Sequence, residues 1–144
     1  MTDSTLLMII DDDRDDRIFF RNAVKKIGPH YAAIESPNAI DALQTLRSAE
    51  ILPHYIFLDL NMPMMNGKEC LIELKKDPLL QNIPVIIYST SNYSEDMQAA
   101  DDLGASYYLV KVWDITDLPA ALIEAMRQTE TGTFSKSAGS EKES

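Results

Sequence analysis

The sequence predicts a doubly wound α/β sandwich with helices on both faces of a parallel five-stranded sheet. Three observations predict it. Five short apolar runs alternate with five stretches whose apolar residues recur at helical spacing. The first run, Leu6–Ile10, is apolar throughout rather than alternating, as a strand covered on both faces requires. Helix stop and start signals, Gly28-Pro29 and Ser36-Pro37, fall between the units.

Each element has its own justification. After Leu6–Ile10, the residues Phe20, Ala23, Val24 and Ile27 mark one face of a first helix. Gly28 is expected in a left-handed cap, and Pro29 cannot continue the helix. Tyr31–Glu35 is a short second strand. Ser36-Pro37 reads as an N-cap followed by a first-turn proline, opening a helix striped by Ala39, Ala42, Leu43 and Leu46. Tyr55–Leu58 is the third strand, Gly67–Lys75 the third helix, and Lys76 to Ile83 a loop. Pro84 leads into the fourth strand, Val85–Tyr88. The fourth helix, Ser94 to Leu103, has the sparsest stripe, with Met97, Ala100 and Leu103 alone. Gly104 ends it. Ser106–Val110 is the fifth strand, and Leu118, Ala121, Leu122 and Ala125 stripe the last helix.

Strand–helix alternation implies parallel pairing with crossover helices. Five such units fit the flavodoxin-like strand order 2-1-3-4-5. Residues 1–128 form the expected domain. From Thr129 the composition turns to Ser, Thr, Gly, Glu and Lys, with Phe134 the single bulky side chain, so residues 129–144 are expected to form a disordered polar tail.

The totals agree with one soluble domain. The chain has 144 residues, 45% of them hydrophobic, enough for one core. Its formal net charge of −10 argues against nucleic acid as a partner and favours a cation. The single cysteine, Cys70, sits among Leu71, Ile72 and Leu74 and reads as a buried apolar residue. Leu6–Ile10 is too short for a signal or membrane segment and runs straight into aspartates. A cytoplasmic location is the expectation.

In open parallel sheets, ligands bind beyond the carboxyl ends of the strands. Here the first strand ends in Asp11, Asp12 and Asp13, and the third in Asp59. The fourth ends in Ser89 and Thr90, and the fifth in Lys111. Several carboxylates in one crevice cannot all stay ionised cheaply, so a cation or protons must join them. A hard divalent ion that keeps some of its waters, Mg2+ above all, suits such a shell. Asp59 stands apart on another strand, where its oxygen could attack phosphorus. Lys111 would place a positive charge, and Ser89 a hydrogen bond, on phosphoryl oxygens. The same residues have plainer roles. Asp13, Asp15 and Asp16 open a helix, where acids meet the dipole favourably, and that reading is preferred for Asp15 and Asp16. Asp11 and Asp12 could also be capping acids, Asp59 a turn residue, Lys111 a solvated lysine and Ser89 a strand-end hydroxyl. Their joint placement, one set per strand end, is what composition does not explain.

Four segments carry a resemblance to the receiver domains of two-component response regulators. They are Met8-Ile9-Ile10-Asp11-Asp12-Asp13, Leu58-Asp59-Leu60-Asn61-Met62-Pro63 with Asn66-Gly67 beyond it, Pro84-Val85-Ile86-Ile87-Tyr88-Ser89, and Tyr108-Leu109-Val110-Lys111. The resemblance covers about Leu6 to Met126. It implies that Asp59 is the phosphoacceptor. Mg2+ or Mn2+ would be held by Asp11, Asp12, Asp59 and the backbone carbonyl of Asn61. Ser89 matches the switch hydroxyl, Tyr108 the aromatic whose rotamer follows it, Lys111 the phosphoryl-binding lysine, and Gly67 a position without room for a side chain. The implied donor is a sensor histidine kinase or phosphotransfer protein, with a downstream protein as target. The implied contact surface is the fourth helix, fifth strand and fifth helix, with Tyr108 and Trp113 on it. Trp113 reads equally as a packed ring. The same face serves dimers in receivers, so a homodimer fits. Small residues two beyond the acceptor, Asn61, and two beyond Ser89, Ser91, leave room for the water that hydrolyses an acyl phosphate. His30 and His54 are isolated and read as surface or packing residues.

One departure stands out. Receivers usually carry proline after the lysine, with a cis bond between them; here Val112 follows Lys111. A cis bond to a non-proline residue costs about 3–4 kcal/mol. Either the bond is trans and the loop moves, or packing enforces cis. A degenerate receiver that only binds partners is therefore the first rival reading. An aspartate-nucleophile phosphatase of the haloacid dehalogenase type is the second. Those enzymes carry an aspartate two residues after the nucleophile, where this chain has Asn61.

Overall fold

Thr5–Ile10 is the central-left strand (β1) of one six-stranded parallel sheet, and the chain winds outward from it in both directions. The structure is a computed structural model that describes residues 4–112 and 114–137. The elements follow in order: β1, α1 (Arg14–Ile27), β2 (Tyr31–Ser36), α2 (Ala39–Ser48), β3 (Tyr55–Leu58), α3 (Gly67–Lys76), β4 (Val85–Ser89), α4 (Ser94–Asp102), β5 (Tyr107–Val110), a 3-10 turn at Ile115–Asp117, α5 (Leu118–Thr129) and β6 (Ser135–Lys136). The sheet order is β2-β1-β3-β4-β5-β6, the expected order with one strand added. Every pairing is parallel, so all strand carboxyl ends lie along one rim.

Alternation along the strands separates two cores. Met8, Ile10, Ile56, Leu58, Val85 and Ile87 face α2, α3 and α4. Leu7, Ile9, Phe57, Ile86, Tyr88 and Leu109 face α1 and α5. Phe20 of α1 meets Phe57 edge-on, with centroids 5.1 Å apart. Burying both faces is what removes polar residues from these strands.

Three local expectations differ from the structure. Asn38, not Ser36, caps α2: its side chain accepts the Asp41 amide at 2.7 Å, while Ser36 ends β2 and its hydroxyl donates to the Asn38 carbonyl. The strand continues one residue further than its apolar run, which displaces the cap beyond Pro37. Gly28 closes α1 at φ 154° and ψ 171°, an extended glycine conformation rather than the left-handed helical one, because the chain turns directly into β2. The third difference is at the carboxyl end. Residues 130–137 do not form a free tail: Ser135–Lys136 pairs with Tyr107–Tyr108, and Phe134 packs against the α4-side core. The edge of β5 has backbone groups that need partners, and the segment supplies them through its backbone and, for the Val110 amide, through the Ser137 hydroxyl at 3.2 Å. Residues 138–144 of the expected tail lie outside the described residues, as does Trp113.

Among the described residues no helix is long and apolar enough to cross a membrane.

Candidate functional site

The rim gathers its residues through backbone bonds that run just past the strands. The Asp11 amide donates to the Ser36 carbonyl at 3.1 Å, Asp59 to Ile10 at 3.0 Å, and Lys111 to Ser89 at 2.8 Å. Each functional residue is thus the first beyond its ladder, held as firmly as the sheet itself. Asp11, Asp59 and Ser89 are buried, and Asp12 is exposed.

Carboxylate oxygens of Asp11, Asp12 and Asp59 all lie within 4.8 Å of one another. Burial, reinforced by the charges of Asp11 and Asp12, pushes the Asp59 carboxyl up to about 7; Lys111 and the Asn61 amide hold it down only in part. Burial likewise raises Asp11, against the pull of Lys111. Such a group takes up either protons or a cation. The donors are all hard oxygens, one of them at the solvent face, so the residues fit an oxygen-loving divalent ion that retains water. Asn61 follows two residues after Asp59 in the loop leaving β3, with its amide near enough to that carboxylate to lower its pKa.

Lys111 reaches the same crevice. The described backbone has no cis peptide bond, so the bond from Lys111 to Val112 is trans. The lysine is not displaced by this: Nζ lies 2.8 Å from Asp11, 2.8 Å from Asp16 and 3.9 Å from Asp59. It also sits 5.3 Å from the Tyr88 ring centre, a cation–π distance. Burial disfavours the ammonium, but the Asp11 and Asp16 hydrogen bonds and the nearby charges outweigh that and raise its pKa.

Gly67 closes the loop after β3. Its amide donates to the Leu60 carbonyl at 2.8 Å, and a Cβ there would collide with the Asp59 carbonyl oxygen. The close approach of α3 to the end of β3 therefore requires glycine. Asn66 caps α3 in a reciprocal capping box with Glu69.

Ser89 and Tyr108 join a second set of contacts. The Ser91 amide donates to Ser89 Oγ at 3.2 Å, and the buried Tyr108 hydroxyl donates to the Ser91 carbonyl at 2.9 Å. The Ser91 hydroxyl donates to Asp96 at 2.5 Å, and Lys68 Nζ bonds the other Asp96 oxygen at 3.0 Å. Nothing in the sequence singles out Lys68 and Asp96, since each looks like an ordinary helix-surface charge. Asp16, expected to serve the helix dipole, instead holds the lysine. Its spacing to Asp13 offers a clue, because an acid three residues after an N-cap should turn back to the cap amide. That amide donates to Asp11 instead, at 2.9 Å. Asp13 itself caps α1, accepting the Asp15 and Asp16 amides.

An all-parallel doubly wound sheet, with an acidic crevice and one part-buried lysine at the rim, places the chain among α/β proteins of the receiver type. The response regulator receiver domain profile matches residues 7–123, and the chain belongs to that family. Rcp1 of Synechocystis is 41% identical over 66 residues, which is 46% of this chain and 45% of that protein. The alignment thus spans less than half the length of that relative. The two-component response regulator ORR13 of rice is 34% identical over 116 residues, covering 81% of this chain and 93% of ORR13. Among solved structures, the phosphorylated cyanobacterial phytochrome response regulator RcpA superposes with a TM-score of 0.77 at 25% identity, over 87% of this chain and 92% of RcpA. The Mn2+-bound form of Rcp1 gives 0.74 at 27% identity, over 86% and 94%.

Proposed function

We propose that the chain is a phosphoacceptor response regulator that takes a phosphoryl group from a phosphohistidine donor onto Asp59 and signals through protein contacts. One observation carries the reading. Asp59 stands alone at the end of β3, buried, within reach of a second acidic pair and 3.9 Å from a lysine. A structural lysine would pair with its carboxylates and leave nothing over; this one faces more negative charge than it can neutralise.

In the step, an Asp59 carboxylate oxygen attacks phosphorus and a P–O bond forms. The P–N bond of the donor breaks, its electron pair stays on the imidazole nitrogen, and solvent supplies the proton. Asp11, Asp12, Asp59 and the Asn61 carbonyl would hold Mg2+ or Mn2+, which when bound neutralises charge on the phosphoryl oxygens. Lys111 contributes a fixed positive charge beside the acceptor, and Ser89 Oγ a hydrogen bond. Turning Ser89 toward the phosphoryl group, to which its hydroxyl would donate, would draw Oγ away from the Ser91 amide that now donates to it, and this couples the site to Tyr108 and the α4–β5 face. That face is the proposed surface for a downstream protein or a second copy.

Incubation with a small phosphoramidate donor and Mg2+ tests the reading. Stoichiometric label, absent in Asp59→Asn and without Mg2+, is the expected result. The label should then hydrolyse within hours at neutral pH, given Asn61 and Ser91. No label on the native chain would leave an interaction module, and turnover of a small phosphate ester would point to a phosphatase.

A further inference from the structure

We infer that Asp16 is a positioning residue for Lys111, doing by side-chain contact what a rigid peptide bond after the lysine would otherwise do; this rests on the phosphoacceptor reading above. Lys111 is followed by Val112 through a trans bond, so the backbone places no unusual restraint on where the lysine aims. Its ammonium carries three N–H donors. Two are held, by Asp11 and by Asp16, each at 2.8 Å. One remains for a group arriving on Asp59.

Asp11 cannot do this alone. It belongs to the carboxylate set that fits a cation, and a cation bound there competes with the lysine for its oxygens. Asp16 lies outside that set, one turn into α1. Nor is its carboxylate drawn back to the helix start. The cap amide that an acid at its position would normally accept is already bonded to Asp11, and Asp13 has taken the amides of residues 15 and 16. The other neighbours of Nζ are the Asp59 carboxylate and the Tyr88 ring, which attract but do not orient it. Asp16 therefore keeps the lysine at the crevice when Asp11 is engaged elsewhere.

The test is a double-mutant cycle on the full chain with the phosphoramidate donor. Asp16→Ala should slow labelling at saturating Mg2+ at least fivefold, and Asp16→Asn, which keeps an oxygen acceptor, should fall between. With Lys111→Met already in place, Asp16→Ala should change the rate less than twofold, since residues acting through one another are not additive. Two further readouts separate positioning from folding or metal binding. The affinity for Mn2+, followed by its paramagnetic resonance signal, should stay within twofold in Asp16→Ala. With Mg2+ bound, the slowly exchanging 15N signal of the Lys111 ammonium should be lost in Asp16→Ala. Unchanged labelling by Asp16→Ala, a full additive effect on the Lys111→Met background, or Mn2+ affinity falling as far as the rate would each overturn the assignment. A native chain that labels while Asp16→Ala labels equally well removes this inference alone; a native chain that takes no label removes the phosphoacceptor reading with it.

Discussion

At the carboxyl ends of β1, β3 and β5 the side chains dictate what happens: Asp11, Asp59 and Lys111 are brought out of water and must answer one another's charge. At the outer edge of β5 they dictate little. Ser135–Lys136 joins the sheet through backbone pairing, Ser137 donates its amide to the Tyr108 carbonyl at 2.9 Å, and Phe134 adds one apolar contact. The first region stores unfavourable charge that a cation can relieve. The second satisfies an exposed edge at small gain. One sheet thus contains a region kept for chemistry, where stability is held back, and one kept for closure.

The largest expected effect breaks the crevice by shape alone. Gly67→Ala puts a methyl group against the Asp59 backbone, where nothing flexible can yield. It should destabilise by about 2–3 kcal/mol and lower the melting midpoint by roughly 5–10 °C, read by thermal denaturation. An unchanged midpoint would mean the α3 approach is looser than described.

Next comes the charge. Asp59 titrates near 7 in the folded chain against 3.8 ordinarily, because it is buried among Asp11 and Asp12. Between those values the folded state holds more protons than the unfolded one. Its contribution is fully present below 3.8 and is lost as pH rises through 7. In metal-free protein Asp59→Asn should therefore be more stable than the native chain at pH 8, by about 1–2 kcal/mol. The difference should vanish near pH 4, and a divalent cation should reverse it. Denaturation at the two pH values with and without Mg2+ measures this; equal stability at pH 8 would remove the stored charge from the comparison.

The smallest effect belongs to the edge. Phe134→Ala should cost about 1 kcal/mol, since its ring is only half-buried. The Ser137 amide should then exchange its hydrogen several-fold faster. Exchange as slow as in the native chain would show that β6 holds without its apolar anchor.

Asp11, Asp12, Asp59, Ser89 and Lys111 are legible in the chain because strand ends in a parallel sheet share one rim, so finding the strands finds the site. Asp16 is not, because its role depends on which partner takes the Asp13 amide, and that partner is chosen in space. Nor are Lys68 and Asp96, which meet across two helices to hold the Ser91 hydroxyl. β6 is hidden for another reason: its pairing uses backbone groups that every residue owns, helped by two serine hydroxyls that read as ordinary tail residues.

By itself the sequence determined the alternation of strands and helices, the two-faced core and the identity of the rim residues, because burial periodicity and turn chemistry act over a few residues at a time. The tertiary structure alone decided that a lysine followed by valine still reaches its crevice, that a helix-opening aspartate orients it, and that the polar carboxyl end completes the sheet. Those outcomes turn on competition among donors and acceptors far apart in the chain, and such competition is settled only when the fold brings them within hydrogen-bonding distance.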